Sequence, residues 1–185
     1  MLRYGRNTFA MVLVVITLGG LVGPSIADHH ERHRERRHEE QEDRARDRLS
    51  PVAHPAYEET CGACHFAYQP GLLPSGSWKK VLAGLSDHFG EVVKLDPNTR
   101  GDILAYLTGN AAENCPSRRS LKIMQSLAGS TPKRISEIPC IRREHHEIRP
   151  NVFERRSIGS MSNCSACHRS ADQGVYDDEY VVIPE

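Results

Sequence analysis

The chain has 185 residues, and its 24 Lys and Arg residues balance 24 Asp and Glu residues, so its formal net charge is zero. This length fits one or two small domains. A nucleic-acid-binding protein needs a clustered basic surface, and the balanced composition gives no sign of one, so we expect no nucleic-acid partner.

Residues 1–27 have the features of a secretory signal peptide. Arg3 and Arg6 give a positive start, an apolar run covers residues 9–22, and Ser25-Ile26-Ala27 places small residues at the −3 and −1 positions. The apolar run is shorter than the about 20 residues that span a membrane, so an uncleaved anchor is the less favoured alternative. We predict cleavage before Asp28, export from the cytoplasm and a slightly acidic mature chain.

Residues 28–50 form a low-complexity segment in which Arg, Glu and His alternate. Leu49 is its single large apolar residue, so burial cannot offset the entropy cost of ordering, and we predict a disordered tail or a solvated, fraying helix. The folded part should begin near Pro51. The segment contains four histidines: His29, His30, His33 and His38. They could bind a divalent metal, or the segment could serve only as a solubilising tail, and the composition favours the tail.

Three helical segments follow. Over residues 77–89, apolar side chains recur at the i, i+3, i+4 spacing of one helix face, and Gly90 stands where a C-terminal cap belongs. A second helix is predicted over residues 97–109 with Asp96 as its cap, and a weaker third over residues 118–128. Because alternating strand patterns are nearly absent, the fold is predicted to be mostly α-helical.

Two short motifs carry the chemistry. Cys61-Gly-Ala-Cys64-His65 and Cys164-Ser-Ala-Cys167-His168 are both C-x-x-C-H, the attachment signature of c-type haem. Two thiols one helical turn apart can each bond to a vinyl group of one porphyrin, and the adjoining histidine becomes an axial ligand of the iron. We therefore predict two covalently bound haem c groups.

A lone C-x-x-C also occurs in zinc sites and in thioredoxin-like redox pairs. A four-cysteine zinc site usually has its two pairs about 15 to 20 residues apart, whereas roughly a hundred residues separate these pairs. No strand-helix-strand context for a thioredoxin is visible. Two copies, each completed by histidine, favour haem.

The sixth ligand of each iron can be methionine or histidine. Met124 and Met161 are the methionine candidates, but the first falls on a weakly patterned helix and the second is close to Cys164. His88 lies on the apolar stripe of its predicted helix, where a solvated histidine would be poorly placed. A core histidine is the alternative, and the nearby haem motif favours the ligand.

A second distal candidate comes from residues 141–148. Helical spacing places His145 on the face shared by Ile141 and Ile148, while His146 points away. His145 is therefore the candidate for the second haem, and His54 is a reserve for either iron.

The motifs divide the folded chain into a first haem domain over residues 51–130 and a second over residues 131–185, with residues 131–139 as a linker. Cys115 and Cys140 remain after haem attachment. In an oxidising compartment an even remainder is expected to pair, so we predict a disulfide between them, with two free thiols as the alternative.

Several runs beyond the motifs resemble the bacterial dihaem cytochrome c family over about residues 57–184. These runs are Cys61 to Pro74, Ser77-Trp78, Leu85 to Gly90, Ile135 to Pro139, Arg142 to His145, Ser162 to His168 and Ile183-Pro184. The family pattern includes histidines that match His88 and His145. Cys115, Cys140 and the charged tail lie outside it.

The resemblance implies a class I cytochrome c-like haem domain followed by a smaller, less regular C-terminal haem domain. It implies a periplasmic, low-potential electron carrier, whose redox partner is a monohaem oxygen-binding cytochrome (sphaeroides haem protein) or a membrane cytochrome b. Such partners form transient complexes.

Three functions are compared. A single-electron carrier has both irons six-coordinate, so it needs no small-molecule substrate and is not an enzyme. The alternative is a dihaem peroxidase-like enzyme in which one haem opens for peroxide, but the folded region is small for that and shows no further acid or base cluster. A metal or redox sensor that uses the histidine tail is the third. The carrier is favoured.

Overall fold

The structure is a computed structural model that describes residues 26–185, so the predicted signal peptide lies outside the described residues except for positions 26 and 27. This part is mostly helical, as predicted, and contains only two isolated β-bridges and no strand. None of its helices is long and apolar enough to span a bilayer. Its α-helices are α1 (Ile26–Asp47), α2 (Pro55–Cys61), α3 (Ser75–Ala83), α4 (Pro97–Gly109), α5 (Arg118–Leu127), α6 (Pro139–Glu144), α7 (Pro150–Phe153) and α8 (Cys164–Cys167).

The charged segment, for which a disordered tail and a solvated, fraying helix were the two expected alternatives, is helical in the structure as α1. Contacts divide the chain into one unit that ends at His38 and a second that comprises Glu39–Glu185. Within the second unit, Asp43 pairs with Arg118 at 2.6 Å and Asp47 pairs with Arg119 at 2.5 Å. These partners lie more than 70 residues away in the sequence, so the composition of the segment could not reveal them.

Leu49, two residues before Pro51, is already packed into the fold. Leu49 is only 1% exposed, and its backbone N–H donates to the carbonyl oxygen of Gly174 at 3.0 Å. The single apolar residue of the charged segment is therefore a core residue that fixes the start of the fold to the C-terminal region.

Helix α3 ends at Ala83, earlier than predicted, with Gly84 as its C-terminal cap. The Gly84 N–H donates to carbonyls of the last turn, and a 3-10 turn, Leu85–Asp87, follows. Leu85 is buried there, which explains why the apolar spacing continues past the end of the helix. His88 and Phe89 lie in the loop beyond it.

Helices α4 and α5 agree with the sequence prediction. The Asp96 side chain accepts hydrogen bonds from the N–H groups of Asn98 and Thr99 at the start of α4. Ser117 caps α5 in the same way through the Ser120 N–H, and α5 ends at Leu127, followed by Ala128 in the left-handed conformation as its C-terminal cap. Local capping chemistry therefore determines both helices.

One core holds these helices together. It is formed by one residue of the charged segment, by buried side chains of the first haem region and by residues that follow that region: Leu49, Tyr57, Leu72, Leu73, Trp78, Leu82, Leu85, Ile103, Leu107, Ala111, Ala112, Ile123, Leu127, Ile135, Ile138 and Cys140. Ile135 and Ile138 belong to the predicted linker, so that segment is packed into the core. The expected domains over residues 51–130 and 131–185 are consequently not visible as two separate compact units.

The C-terminal region is less regular than the region around the first motif. Hydrogen bonds connect it to the loop that follows the first motif. The Tyr68 hydroxyl donates to the carbonyl oxygen of Ser162 at 2.6 Å. Next to it, the buried Gln69 side chain donates to the Ala171 carbonyl at 2.6 Å and accepts from the Tyr176 hydroxyl at 2.5 Å. The loops that follow the two C-x-x-C-H motifs are thus held in one fixed arrangement.

The predicted disulfide between Cys115 and Cys140 is wrong for this structure, in which both are free cysteines. Cys140 is buried in the first turn of α6, and Cys115 packs partly buried against the same core. Each therefore acts as a small apolar side chain, the usual role of a free cysteine in a core.

Gly174 gives a test of the attachment of residue 49. Its φ is +72°, and a Cβ there would lie 2.0 Å from the Leu49 carbonyl oxygen; Gly159 has φ +83° with open space around it. We expect Gly159→Ala to lower the free energy of unfolding of the haem-loaded protein by about 1 to 2 kcal/mol, the cost of left-handed backbone alone. Gly174→Ala adds a backbone clash and should cost roughly 3 kcal/mol or more.

Denaturant titration of the two variants measures the difference. Equal losses would mean that the Leu49 segment moves aside without cost, and that it does not anchor the fold.

Candidate functional site

The first C-x-x-C-H motif spans the end of a helix and the turn after it. Cys61 is the last residue of α2 and is partly buried, whereas Cys64 and His65 are exposed in the turn. The Nδ1 atom of His65 donates to the Phe66 carbonyl oxygen at 2.8 Å. This bond fixes the tautomer and leaves Nε2 free as a neutral ligand atom.

His88 faces His65 from the loop after the 3-10 turn. The ring centroids lie 6.1 Å apart and the ring planes differ by 24°. His88 is half-buried, and burial, followed by the charges of His65, Arg134 and Lys133, holds its pKa below the usual value. A neutral imidazole is the form that binds a metal.

The second motif forms the short helix α8 and its C-terminal residue. His168 follows Cys167 directly and forms a β-bridge with Val181. Its Nδ1 atom is buried and has no hydrogen-bond partner among the described residues. Burial, with smaller contributions from His145 and Arg119, lowers the pKa of His168 to about 4, so this imidazole is neutral at physiological pH.

His145 faces His168 from the C-terminal end of α6. The ring centroids are 6.0 Å apart with ring planes at 68°, and the His145 Nδ1 atom donates to the Ile141 carbonyl at 2.8 Å. His146 is exposed and bonds to Arg143 instead. The structure therefore places His145, the histidine that the face argument selected, opposite His168. Helix α6 itself ends one residue before His145.

A cavity of about 510 Å³ surrounds the second pair. Met161, one of the methionine candidates, lines this cavity, whereas Met124 packs against the core. The wall is mainly apolar near the motif and includes Ile141, His145, Ile148, Phe153, Ile158, Met161, Cys164, Cys167, His168 and Tyr176. Its size lies within the range of small-molecule and cofactor sites.

Both histidine pairs have the spacing that a six-coordinate iron requires. An imidazole nitrogen binds a transition metal at about 2 Å and the ring centre lies roughly 1 Å behind it, so two imidazoles on opposite sides of one ion have centres about 6 Å apart. The observed 6.1 Å and 6.0 Å agree with this value. Each pair also adjoins two cysteines one helical turn apart, which fits a covalently attached haem.

The thiols do not fit the other interpretations of C-x-x-C. Burial raises the pKa of Cys61 and of Cys164 to about 11, whereas a thioredoxin-like pair needs a thiol with a lowered pKa. Within residues 26–185, no group of three or more His, Cys, Asp or Glu side chains is arranged to hold a metal ion. A zinc site built from both cysteine pairs is thus not supported.

His54, the reserve ligand, has another role in the structure. Its Nδ1 atom accepts a hydrogen bond from the Tyr57 N–H as the cap of α2, and its Nε2 atom lies 3.2 Å from the Asp102 carboxylate. The ring also packs 4.7 Å from the Tyr106 ring. His54 therefore belongs to neither facing pair.

Three residues of the second site were missed by the sequence analysis. The Tyr176 ring lies edge-on to His168 at 5.4 Å, and Gln69 holds the Tyr176 hydroxyl. Arg119 lines the cavity with its side chain only 13% exposed and pairs with Asp47. Their bonded partners are distant in the sequence, since Gln69 and Tyr176 bond to each other and Arg119 pairs with Asp47. The one sequence signal for these residues was polarity. Gln69 stands beside apolar positions of the loop after the first motif, and Arg119 stands beside apolar positions of α5.

Comparisons with known proteins agree with this geometry. The family model for dihaem cytochrome c matches residues 57–176, and no curated protein sequence matches the chain. The chain is 41% identical to a diheme cytochrome c from Rhodobacter sphaeroides, with a TM-score of 0.60, 69% of this chain covered and 99% of the other. A diheme cytochrome c from Shewanella baltica OS155 is 34% identical, with a TM-score of 0.57, 70% of this chain covered and 91% of the other.

Two facing histidine pairs beside two C-x-x-C-H motifs, in a mostly helical fold that matches these structures, lead to one assignment. The chain belongs to the dihaem cytochrome c family, whose members carry two covalently attached haem c groups.

Proposed function

We propose that this protein is a single-electron carrier in which both irons have two imidazole ligands. Cys61 and Cys64 would attach the first haem, with His65 and His88 as its axial ligands. Cys164 and Cys167 would attach the second, with His168 and His145. The observation that carries the proposal is the 6 Å spacing within each pair, because two ligands on each iron leave no coordination position for a substrate.

The residues of each site have distinct tasks in this proposal. Bound haem supplies the one-electron chemistry. The carbonyl oxygens of Phe66 and Ile141 orient His65 and His145, and a hydrogen bond from Nδ1 to a carbonyl oxygen strengthens the imidazole as an electron donor to a metal. Apolar side chains such as Ile141, Phe153 and Ile158 would reduce the contact of the second pair with water. Strong imidazole donation favours the ferric state, so both potentials should lie well below those of methionine-ligated cytochromes.

We further propose that the protein is exported to the periplasm and exchanges electrons with another haem protein, either a monohaem c-type cytochrome or a membrane cytochrome b. The signal-like residues 1–27 support the location. The mature chain is slightly acidic and haem propionates add negative charge, so a basic rim on the partner would steer the encounter. Redox contacts of this kind are small and short-lived.

Haem content tests the attachment. Protein matured in a periplasm should retain two haem masses after acid-acetone extraction, as measured by mass spectrometry. Replacing Cys61 and Cys64 by Ala should remove one of them, since both thioether bonds are then lost. The paired control, Cys115→Ala with Cys140→Ala, should retain two. One haem in the wild type would overturn the two-site assignment.

Axial ligation is tested by redox titration. We expect His88→Met to raise one midpoint potential by roughly 100 mV or more, because thioether donates less strongly than imidazole. The other potential should stay nearly constant. His145→Met should do the same at the other haem, while His146→Met, a change at the adjacent exposed histidine, should alter neither. A potential insensitive to His88→Met would remove His88 from the ligand set.

Partner transfer is tested by stopped-flow mixing of the reduced protein with a monohaem c-type cytochrome. If complementary charges steer docking, the second-order rate should fall by about tenfold or more as ionic strength rises from low to high. Oxidation by a small uncharged oxidant should show no such dependence. A slow transfer that ignores salt would contradict the docking model, and rapid peroxide turnover by the isolated protein would favour the enzyme.

A further inference from the structure

The loop that carries His88 is a two-residue hairpin turn with an unusual residue in it. The His88 N–H donates to the Glu91 carbonyl at 2.7 Å, and the Glu91 N–H donates back at 3.2 Å. Both central residues have positive φ, +59° at Phe89 and +100° at Gly90. This is the pattern of a type I′ turn, in which Asn-Gly, Asp-Gly or Gly-Gly is preferred.

Phenylalanine is strained at the first central position. The left-handed conformation crowds the Cβ of any L-residue, and a bulky residue there is an outlier that persists only when its surroundings enforce it. Core burial does not explain the choice, because Phe89 is 42% exposed. An asparagine would suit the backbone better, so the ring must serve another purpose.

The ring of Phe89 packs against the imidazole of His88. Their centroids lie 4.9 Å apart. On the Phe89 ring, the guanidinium carbon of Arg134 lies 3.9 Å from the centroid and the Lys133 ammonium lies 5.7 Å away, distances typical of cation–π contacts. Arg134 therefore holds the ring in place from a different part of the chain.

The orientation of the His88 ring depends on this aromatic contact, whereas the rings of His65 and His145 are also oriented by hydrogen bonds. His65 and His145 each donate from Nδ1 to a backbone carbonyl. Within the part of the chain that the structure describes, the His88 ring makes no hydrogen bond, and its aromatic neighbours are His65 and Phe89. Its orientation is therefore set by the turn and by packing.

We propose that Phe89 is a positioning residue for His88: its ring, held by Arg134, keeps the imidazole facing His65 and closes the first haem to added ligands. The inference rests on the proposed function, since it takes His88 as the distal ligand. The strained turn is then retained because the residue that suits the backbone, asparagine, would leave the imidazole free to swing away.

Carbon monoxide binding to the reduced, haem-loaded protein tests this proposal. A distal imidazole that opens more often binds carbon monoxide faster in proportion to its open fraction. We expect Phe89→Asn to raise the binding rate at one haem by about tenfold or more, with a denaturation midpoint no lower than that of the wild type. Phe89→Tyr, which keeps the ring, should behave as the wild type, and Arg134→Gln should fall between the two.

His88→Ala separates the two ideas under test. If this variant leaves both haems closed to carbon monoxide, the ligand assignment itself fails. If it opens one haem while Phe89→Asn remains as closed as the wild type, only the role of Phe89 is overturned. A lower denaturation midpoint in Phe89→Asn would also overturn it, because the ring would then be a structural residue whose loss loosens the whole region.

Discussion

The side chain of Gln69 joins the two haem-attachment loops, and the arrangement of both sites depends on it. It is 1% exposed and uses both ends of its amide, one on the Ala171 carbonyl and the other on the Tyr176 hydroxyl. A buried amide of this kind is costly unless it is fully bonded, so the two loops are stable only in the register that satisfies it. Burial also raises the pKa of Tyr176, which keeps its hydroxyl protonated as a donor.

This connection explains why two haem motifs share a single compact unit. The second motif has around it only short helices, α6 to α8, which could not build a core alone. Its walls are completed by the first half of the chain, through Tyr68 and Gln69, and by Leu49 and Asp47 from the charged segment. A haem domain that ended at residue 130 would lack these contacts. The domain boundary predicted there is based on the positions of the two motifs, whereas the packing of the core continues across it.

The parts of the fold that the sequence predicts are those that local chemistry determines. Helices α4 and α5 begin at side-chain caps that can be identified from the sequence alone, and the C-x-x-C-H spacing follows from the geometry of one porphyrin. The end of α3 was misplaced because periodicity continues through Leu85 of the 3-10 turn. The helical face from which His88 is predicted as a ligand is therefore absent from the structure. His88 nevertheless faces His65, because the turn directs it toward the first motif. Leu49, Arg119 and Tyr176 act through partners far along the chain, which no local pattern encodes.

The two sites use the same division of tasks on different local structures. In each pair one imidazole donates to a backbone carbonyl, His65 in the first and His145 in the second. The opposite imidazole is held by aromatic contact, His88 by Phe89 and His168 by Tyr176. A hydrogen bond from Nδ1 strengthens donation to a metal, whereas an aromatic neighbour fixes the ring without doing so. If each pair binds one iron as proposed, each iron has one ligand of each kind, and the summed donation at the two irons would be similar. A difference between their potentials would then arise from what surrounds the two pairs: a half-exposed turn beside Arg134 and Lys133 at the first, and a largely apolar cavity at the second.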